Sequence, residues 1–351
     1  MAVAIQSARP TITLDGRDNQ ALVGGLRGLT IVENTAGLYR CEAMFGNWGD
    51  YNGGRDFLYF DRRTLDFAKP FKVKVDDDVI FDGRISGLEA HFPEGESPSI
   101  TVLAEDRLQD LRMTRRTRTF ADAADGDVFR QIANDHGLTP DIDLPNAQHR
   151  VIAQVNQSDL AFLRERARAI DAEVWVTGST LHAKSRANRG GAALELNYHD
   201  TLLEFSALAD LANQRTSVAV TGWDVAGKQA IRHEATDSIL SGELNGDVSG
   251  VSILQSKFGA RKEQLAHPVP LTTGDAQTEA EAFFKMSARR FVIGRGRARI
   301  NPRLRVGVTV ELKRLGALFS GKYYVTEVQH LFDGAGFNTE FTCERAGIGR
   351  P

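Results

Sequence analysis

Apolar and polar residues alternate with period two across residues 306–345. Val306, Val308, Val310 and Leu312 share one side of a first strand, with Gly307, Thr309 and Glu311 on the other. Gly321 and Lys322 open a second strand that runs from 323 to about 332. Asp333-Gly334-Ala335-Gly336 is a turn of residues that tolerate positive φ. A third strand then sets Phe337, Thr339, Phe341 and Cys343 against Asn338, Glu340, Thr342 and Glu344. Such alternation, bounded by Gly and Asp, predicts an antiparallel meander with one buried face.

The same pattern occurs at residues 71–107, where Phe71, Val73 and Val75 alternate with Lys72, Lys74 and Asp76. Both stretches contain F-x-G-[RK]-x4-E: Phe81, Gly83, Arg84 and Glu89 in one, Phe319, Gly321, Lys322 and Glu327 in the other. A turn and a closing acid–base strand end follow in each, Glu105-Asp106-Arg107 and Glu344-Arg345. The shared Glu precedes the closing Glu by 16 residues in the first and 17 in the second. Two readings fit: two β-meanders alike because turn chemistry is shared, or one β-unit carried twice.

Between these stretches the pattern changes character. Residues 1–110 read as all-β. Thr11-Ile12-Thr13-Leu14 ends in an Asp15-Gly16 turn, and a β-rich run over 29–45 breaks at Thr35-Ala36-Gly37. Residues 45–55 form a Gly/Asn/Asp loop displaying Trp48 and Tyr51, aromatics that such a loop more often tucks against its own domain than offers to a ligand. Residues 111–192 read as a small α+β domain. Asp125 or Asp127 caps a helix with Val128, Phe129, Ile132 and Ala133 on its apolar side, and Gly137 stands at its C′ position. Ser158-Asp159 opens a second helix with Leu160, Leu163, Ala167 and Ile170 at helical spacing, before a hairpin that turns at Gly178-Ser179. Residues 193–225 return to β character, although 202–211 also reads as one helix. Residues 226–275 are polar and Gly-dotted and predict no definite element. Thr278-Glu279-Ala280-Glu281 is a capping box for a helix with a stripe of Ala280, Phe283, Phe284, Ser287, Ala288 and Phe291, the pattern of core or interface packing.

A chain of 351 residues suggests two to four compact units. Apolar residues at 42% and charged residues at 25% are ordinary for a globular protein. The net charge of -3 argues against broad charge-driven wrapping of nucleic acid. No apolar run approaches the length of a membrane span. Residues 1–16 lack the basic start and apolar core of a secretory signal. Two cysteines, Cys41 and Cys343, are too few for a disulfide scaffold, and Cys343 reads as a small buried hydrophobe in a chain that folds in a cytoplasm.

Motifs that carry chemistry are incomplete. Residues 316–322 fit G-x-x-x-x-G-K, but Tyr323 replaces the hydroxyl residue that would bind magnesium, and a strand follows in place of a helix. Asp76-Asp77-Asp78 lacks the spaced ligands of a calcium loop and suits a solvated hairpin tip. The histidines show no metal-site spacing, and there is neither C-x-x-C nor a G-x-S-x-G elbow. Two basic stretches remain: Arg112, Arg115, Arg116 and Arg118, and Arg295, Arg297 and Arg299, which share one face of a strand. A solvated face or a protein–protein salt-bridge surface suits them better than nucleic acid does. The second trio is a candidate subunit interface.

Taken in order, several blocks resemble the tail hub proteins of contractile-tailed phages, the late control protein D family, and the hub region of the type VI secretion spike protein VgrG. The clearest block is Asn301-Pro302-x-Leu304-Arg305-Val306-Gly307, then Gly321-Lys322-Tyr323-Tyr324-Val325-Thr326-x-Val328-x-His330, then Gly336-Phe337-x-Thr339-x-Phe341 and Glu344-Arg345. Gln157-Ser158-Asp159-Leu160-x-Phe162-Leu163 leading to Ala172-Glu173 is a second. Thr216-Ser217-Val218-x-Val220-x-Gly222-Trp223-Asp224 is a third, and Phe81 to Leu88 also fits.

The resemblance implies an α+β, predominantly β chain with two tail-tube-type antiparallel β-barrels plus small α+β domains. Residues 1–110 would be the first barrel, 111–192 the α+β domain, 193–225 with 292–351 the discontinuous second barrel, and 226–291 an insertion ending in a helix. Three chains would form a pseudo-six-fold ring joining a hexameric tail tube to a trimeric spike. The implied partners are further copies of the chain (a homotrimer), the central spike protein, a tail tube or tube-initiator protein, baseplate wedge proteins and the tape measure protein. The resemblance implies no catalytic residue, metal or cofactor and no membrane insertion, and places the protein in the tail baseplate of a virion assembled in the host cytoplasm. The alternatives are a peptidoglycan hydrolase of the tail tip and the hub of a non-phage contractile injection or secretion system. With the chain ending at Pro351, just past the second barrel, the spike is expected to be a separate chain.

Overall fold

Strands β1 (Thr11–Leu14) and β2 (Arg17–Asp18) are joined by Asp15 and Gly16 at φ 50° and 78°, the two positive values that a tight hairpin needs. This computed structural model describes residues 9–350 except 52, 192, 225–226 and 266–269. Residues 1–8 of the stretch read for a secretory signal and the expected boundary at 225–226 therefore lie outside the described residues. Helix α1 (Gln20–Gly25) is capped by Asn19, whose side chain accepts from the Leu22 amide at 3.0 Å. Strands β3 (Leu26–Asn34), β4 (Arg40–Gly46), β5 (Gly49–Tyr51), β6 (Gly54–Asp56), β7 (Pro70–Val75), β8 (Asp78–His91) and β9 (Ser99–Glu105) follow. All but β5 and β6 form the antiparallel order β3-β4-β9-β8-β7-β1-β2. Alternate residues of each strand point inward, so Leu29, Ile31, Cys41, Ala43, Phe45, Phe71, Val73, Val102 and Ala104 make one core. Asp76-Asp77-Asp78 is an exposed hairpin tip.

The next unit contains α2 (Leu108–Arg112), β10 (Arg115–Ala124), α3 (Asp125–Asp135), β11 (Thr139–Asp143), β12 (Gln148–Ser158), α4 (Asp159–Ala169), β13 (Ala172–Thr177), β14 (Thr180–Ser185) and α5 (Arg186–Arg189). Asp127 reaches back to the Ala124 amide at 3.2 Å, and Ser158 accepts from Ala161 at 3.2 Å, so both helices start where their polar residues point. Val128, Phe129, Ile132, Leu160 and Leu163 pack with Val174, Leu181 and Ala183 in a second core.

The remaining chain interleaves two cores. Strands β15 (Leu194–Asn197) and β16 (Leu202–Ala209) come first. Residues 202–209 are a strand and not the alternative helix: their exposure alternates with period two, and they pair with a partner further on. Then come β17 (Ser217–Asp224), β18 (Gln229–Thr236), β19 (Val248–Ser249), α6 (Gly250–Phe258), β20 (Lys262–Leu265) and α7 (Thr273–Arg289). Strand β17, expected in the second barrel, instead forms the separate sheet β18-β17-β20 under α7. Its Val218 and Val220 are buried against Ala276, Ala280 and Phe284 of that helix. The helix also begins earlier than expected. Thr272 and Asp275 make the capping box, and Thr278 and Glu281 fall inside the helix because no residue between them breaks it.

Strands β21 (Val292–Arg299) and β22 (Thr309–Lys313), the single-turn α8 (Gly316–Phe319), β23 (Gly321–Asp333), β24 (Gly336–Arg345) and β25 (Gly347–Ile348) complete the chain. The C-terminal meander is present with Phe337, Thr339, Phe341 and Cys343 on its buried face. The principal sheet runs β16-β21-β24-β23-β3-β4-β9-β8-β7-β1-β2, with β22 and β15 branching from β23. The fold is predominantly β with α+β additions. Two closed barrels are not what this pairing draws among the described residues. The first half of β23 pairs with β22 and its second half with β3, so the edge that would close the second β-unit continues into the first.

Candidate assembly interface

The two meanders repeat one another in their pairing. Phe71 faces Gly83 as Val310 faces Tyr323, and Arg84 faces Glu105 as Tyr324 faces Glu344. Each middle strand carries a bulge, at Ser86 and at Thr326, whose hydroxyl donates across to a carbonyl of the third strand: Leu103 at 3.1 Å and Thr342 at 3.2 Å. The closing Glu residues coincide. The F-x-G-[RK]-x4-E residues do not: Gly83 and Arg84 stand where Tyr323 and Tyr324 stand, two residues away from Gly321 and Lys322.

Those motif residues have different local tasks. A Cβ on Gly83 would lie 2.3 Å from the Glu105 carbonyl oxygen and 2.6 Å from the Phe81 ring, so only Gly fits under the buried Phe81. Arg84 approaches Asp110 at 3.4 Å. Gly321 has φ 133° and lies against Arg345, Phe319 ends α8, and Lys322 pairs with Glu311 across the ladder. Glu89 is exposed on the second half of β8, and Glu327 is the first residue of β23 to pair with β3.

That β23–β3 joint fuses the two β-units. Glu33 is 1% exposed and is held by the Arg305 guanidinium and, at 3.2 Å, by the Val306 amide. Arg305 also donates to the Val79 carbonyl at 3.1 Å. Beside this pair His330 is fully buried with Nδ1 3.0 Å from Thr339 Oγ1. Burial, with Arg305 nearby, pushes its pKa down to about 3.

Arginines fasten the other units to the joint. Arg189 donates to Glu173 at 2.7 Å and to the Tyr39 hydroxyl at 2.6 Å, and its guanidinium carbon lies 4.3 Å from the centre of the Trp175 ring. Tyr324 donates to the same Glu173 oxygen at 2.7 Å. One knot thus ties the first β-unit, the α+β domain and the second β-unit. Arg164 donates to the carbonyls of Ala36 and Gly37 at 2.5 and 3.0 Å. Arg289 of α7 grips Asp171, and Glu243 at 2.6 Å. The closing Glu344-Arg345 is also engaged, with Arg186 at 2.5 Å and Asp247 at 3.1 Å. The sequence marked few of these partners, because each pair is far apart in the chain and arginines are common.

Arg295, Arg297 and Arg299 do share one exposed face, that of β21. They lie one strand in from the sheet edge, opposite Thr342, Glu340 and Asn338 of β24, and Arg297 approaches Glu204 at 3.7 Å. Among the described residues no group of three or more His, Cys, Asp or Glu could hold a metal ion. No helix among them is long and apolar enough to cross a membrane.

Among the open strand edges of the described residues are the outer edge of β16 beyond Leu202 and, beyond Ile85, the outer side of β8. Leu208 on the first is 63% exposed, and Phe92, just past the second, is 61% exposed. Phe92 belongs to an aromatic group with Phe57, Phe60 and, through Phe57, Trp48.

A family model described as the Alg8 N-terminal domain matches residues 72–333, and by that match the chain belongs to the family so described. The description names no activity, and the matched span begins inside β7 and ends at the last residue of β23. No curated protein sequence matches the chain. Among solved structures, the 43 kDa tail protein of prophage MuSo2 from Shewanella oneidensis is similar over 96% of this chain and 98% of its own, at 13% identity and a TM-score of 0.72. A tail protein from Neisseria meningitidis is similar over 97% of both chains, at 11% identity and a TM-score of 0.70. An E. coli component of the type VI secretion system, described as structurally similar to bacteriophage T4 tail proteins, is similar over 93% of this chain and 76% of its own, at 10% identity and a TM-score of 0.58. The fold is therefore the one shared by phage tail proteins and type VI spike-related proteins.

Proposed function

We propose that this chain is a structural hub protein of a contractile tail. Its two β-units are open versions of the tail-tube barrel. Three chains would place six such units in a ring, matching a six-fold tube on one side and a three-fold central spike on the other. The observation that carries this reading is the duplication inside one sheet: two meanders with the same pairing and the same bulge, fused through β23 and β3. A chain with two equivalent units is what a trimer needs to present a pseudo-six-fold face.

The mechanism is assembly and load transfer. Buried ion pairs at every junction resist separation of the units, since parting them would strand charges out of water. Partners under this reading are further copies of the chain, the spike, the tube or its initiator, baseplate wedge proteins and the tape measure protein, in the tail of a virion. The likeness to the type VI component favours a second reading, the hub of a secretion apparatus, which uses the same ring. A zymogram with peptidoglycan checks the hydrolase alternative: clearing that disappears on mutating a single carboxylate would overturn the structural reading.

Native mass measured by light scattering, for the chain alone and mixed with its spike protein, tests the ring. One chain is 38.6 kDa. A species near 116 kDa, three times that value, is the expected result with or without the spike. A monomer that ignores the spike at every concentration overturns the reading.

A further inference from the structure

The internal joint between β23 and β3 has a counterpart with its partner missing. Ser86 and Thr326 mark the same bulge, so residues 327–332 correspond to 87–92. On the other side of the repeat, Gly294 and Gly296 face Cys343 and Phe341 as Cys41 and Ala43 face Ala104 and Val102. Ala207 and Phe205, which pair with those glycines, therefore correspond to Ile31 and Leu29. Strand β16 is thus the equivalent of β3, and the second half of β8 is the equivalent of the second half of β23. Within the chain, β3 and β23 pair. Between β16 and β8 no pairing exists, because the two edges lie at opposite ends of the chain's own series of strands.

We propose that β16 of one copy adds antiparallel to the second half of β8 in another copy, in the register of the internal joint. Gln329 faces Val32, His330 faces Ile31 and Phe332 faces Leu29 inside the chain. The same register sets Glu89 opposite Leu208, Ala90 opposite Ala207 and Phe92 opposite Phe205 between copies. Exposure supports it. Phe332, covered by the first β-unit, is half-buried and packs against that core, whereas its counterpart Phe92 is 61% exposed. Leu208 is 63% exposed, while its counterpart Val32 is half-buried. A bare strand edge flanked by exposed apolar residues is an aggregation hazard unless something covers it. One ion pair does not recur: the buried Glu33 corresponds to Ala209, so the joint between copies is apolar where the internal one is charged and should part more readily. The two edges differ, so each copy gives one and receives one, which builds a ring and excludes a two-fold dimer.

This inference rests on the hub reading and adds the strands and register to it. Directly opposed strand residues stand within disulfide reach. The full chain carrying Glu89→Cys and Leu208→Cys, oxidised where it is oligomeric, is expected to give two- and three-chain bands on a non-reducing denaturing gel. A control with Glu89→Cys and Glu204→Cys, two facing pairs out of register, should give at least tenfold less. Cys41 and Cys343 are buried and contribute no background. In a second variant, Leu208→Asp should shift the oligomer toward monomer at least tenfold with no change in melting temperature of the monomer. A 116 kDa species without the Glu89–Leu208 bands, or with stronger control bands, overturns this pairing and leaves the ring standing. A chain that stays monomeric even with the spike overturns both.

Discussion

His330 is a buried imidazole that cannot afford a proton. Its Nδ1 meets Thr339, the Arg305 guanidinium is nearby, and the surrounding strands exclude water. The folded pKa of about 3 lies below the ordinary 6.5, so between those values the unfolded chain binds the proton and the folded one does not. The stability from this group is therefore present above pH 6.5 and is lost as the pH falls toward 3, with a slope approaching about 1.4 kcal/mol per pH unit. We expect the urea stability of the wild-type chain to decline more steeply from pH 6.5 to 4.5 than that of H330L. Parallel declines would show that His330 carries no such penalty. Nothing in the sequence around His330 marks it as buried and neutral. Strand alternation puts it on the face opposite Gln329, and the burial comes from β3, nearly three hundred residues away in the chain.

At the scale of elements, alternation was a good guide to strands and a poor one to their partners. It located β22, β23 and β24, and β7, β8 and β9, because each has one buried face. It could not align the repeat. A one-residue slip turns every side chain over, but a two-residue slip preserves the facing, so Gly83 matched Gly321 as plausibly as it matched its true counterpart Tyr323. Strand β17 goes with the second β-unit only by the resemblance: its own alternation suits any sheet, and β18, β20 and α7 decide which. Strand β21 shows the packing behind a sequence that reads as basic. Its arginines face outward, and its glycines lie inward under an aromatic ring. A Cβ would come 2.4 Å from the Phe205 ring at Gly294 and 2.5 Å from the Phe341 ring at Gly296. Gly296→Val should cost about 1–3 kcal/mol through overpacking, read as a lower urea midpoint with the slope unchanged. Restoration of the midpoint by adding Phe341→Leu would locate the cost in that ring, and a neutral G296V would mean the ring has room to move.

At the scale of the molecule, the described residues form four cores held by long-range ion pairs, and this is the level the sequence revealed least. Composition suggested two to four units and the resemblance put β17 in the second β-unit, where it does not pair, and neither identified what couples the cores. Arg289 is the clearest coupling residue. It leaves α7, is 4% exposed, and grips Asp171 of the α+β domain and Glu243 of the insertion together. Its partners hold its pKa above the ordinary arginine range against the opposing effect of burial. Replacing it with Met keeps much of the packing but leaves two partly exposed acids facing each other without a cation, which costs about 1–3 kcal/mol. The loss falls on the contact between units and not inside any one core. Calorimetry of R289M should therefore show an earlier, separate transition for the insertion built on β17, β18, β20 and α7, where the wild-type chain unfolds in one. Hydrogen exchange should be faster in that insertion and unchanged in β3, β4 and β9. A single transition that moves as a whole would mean the units are coupled mainly through their strands. In that case the arginine knot at Tyr39, Glu173 and Tyr324 would be the next coupling to break.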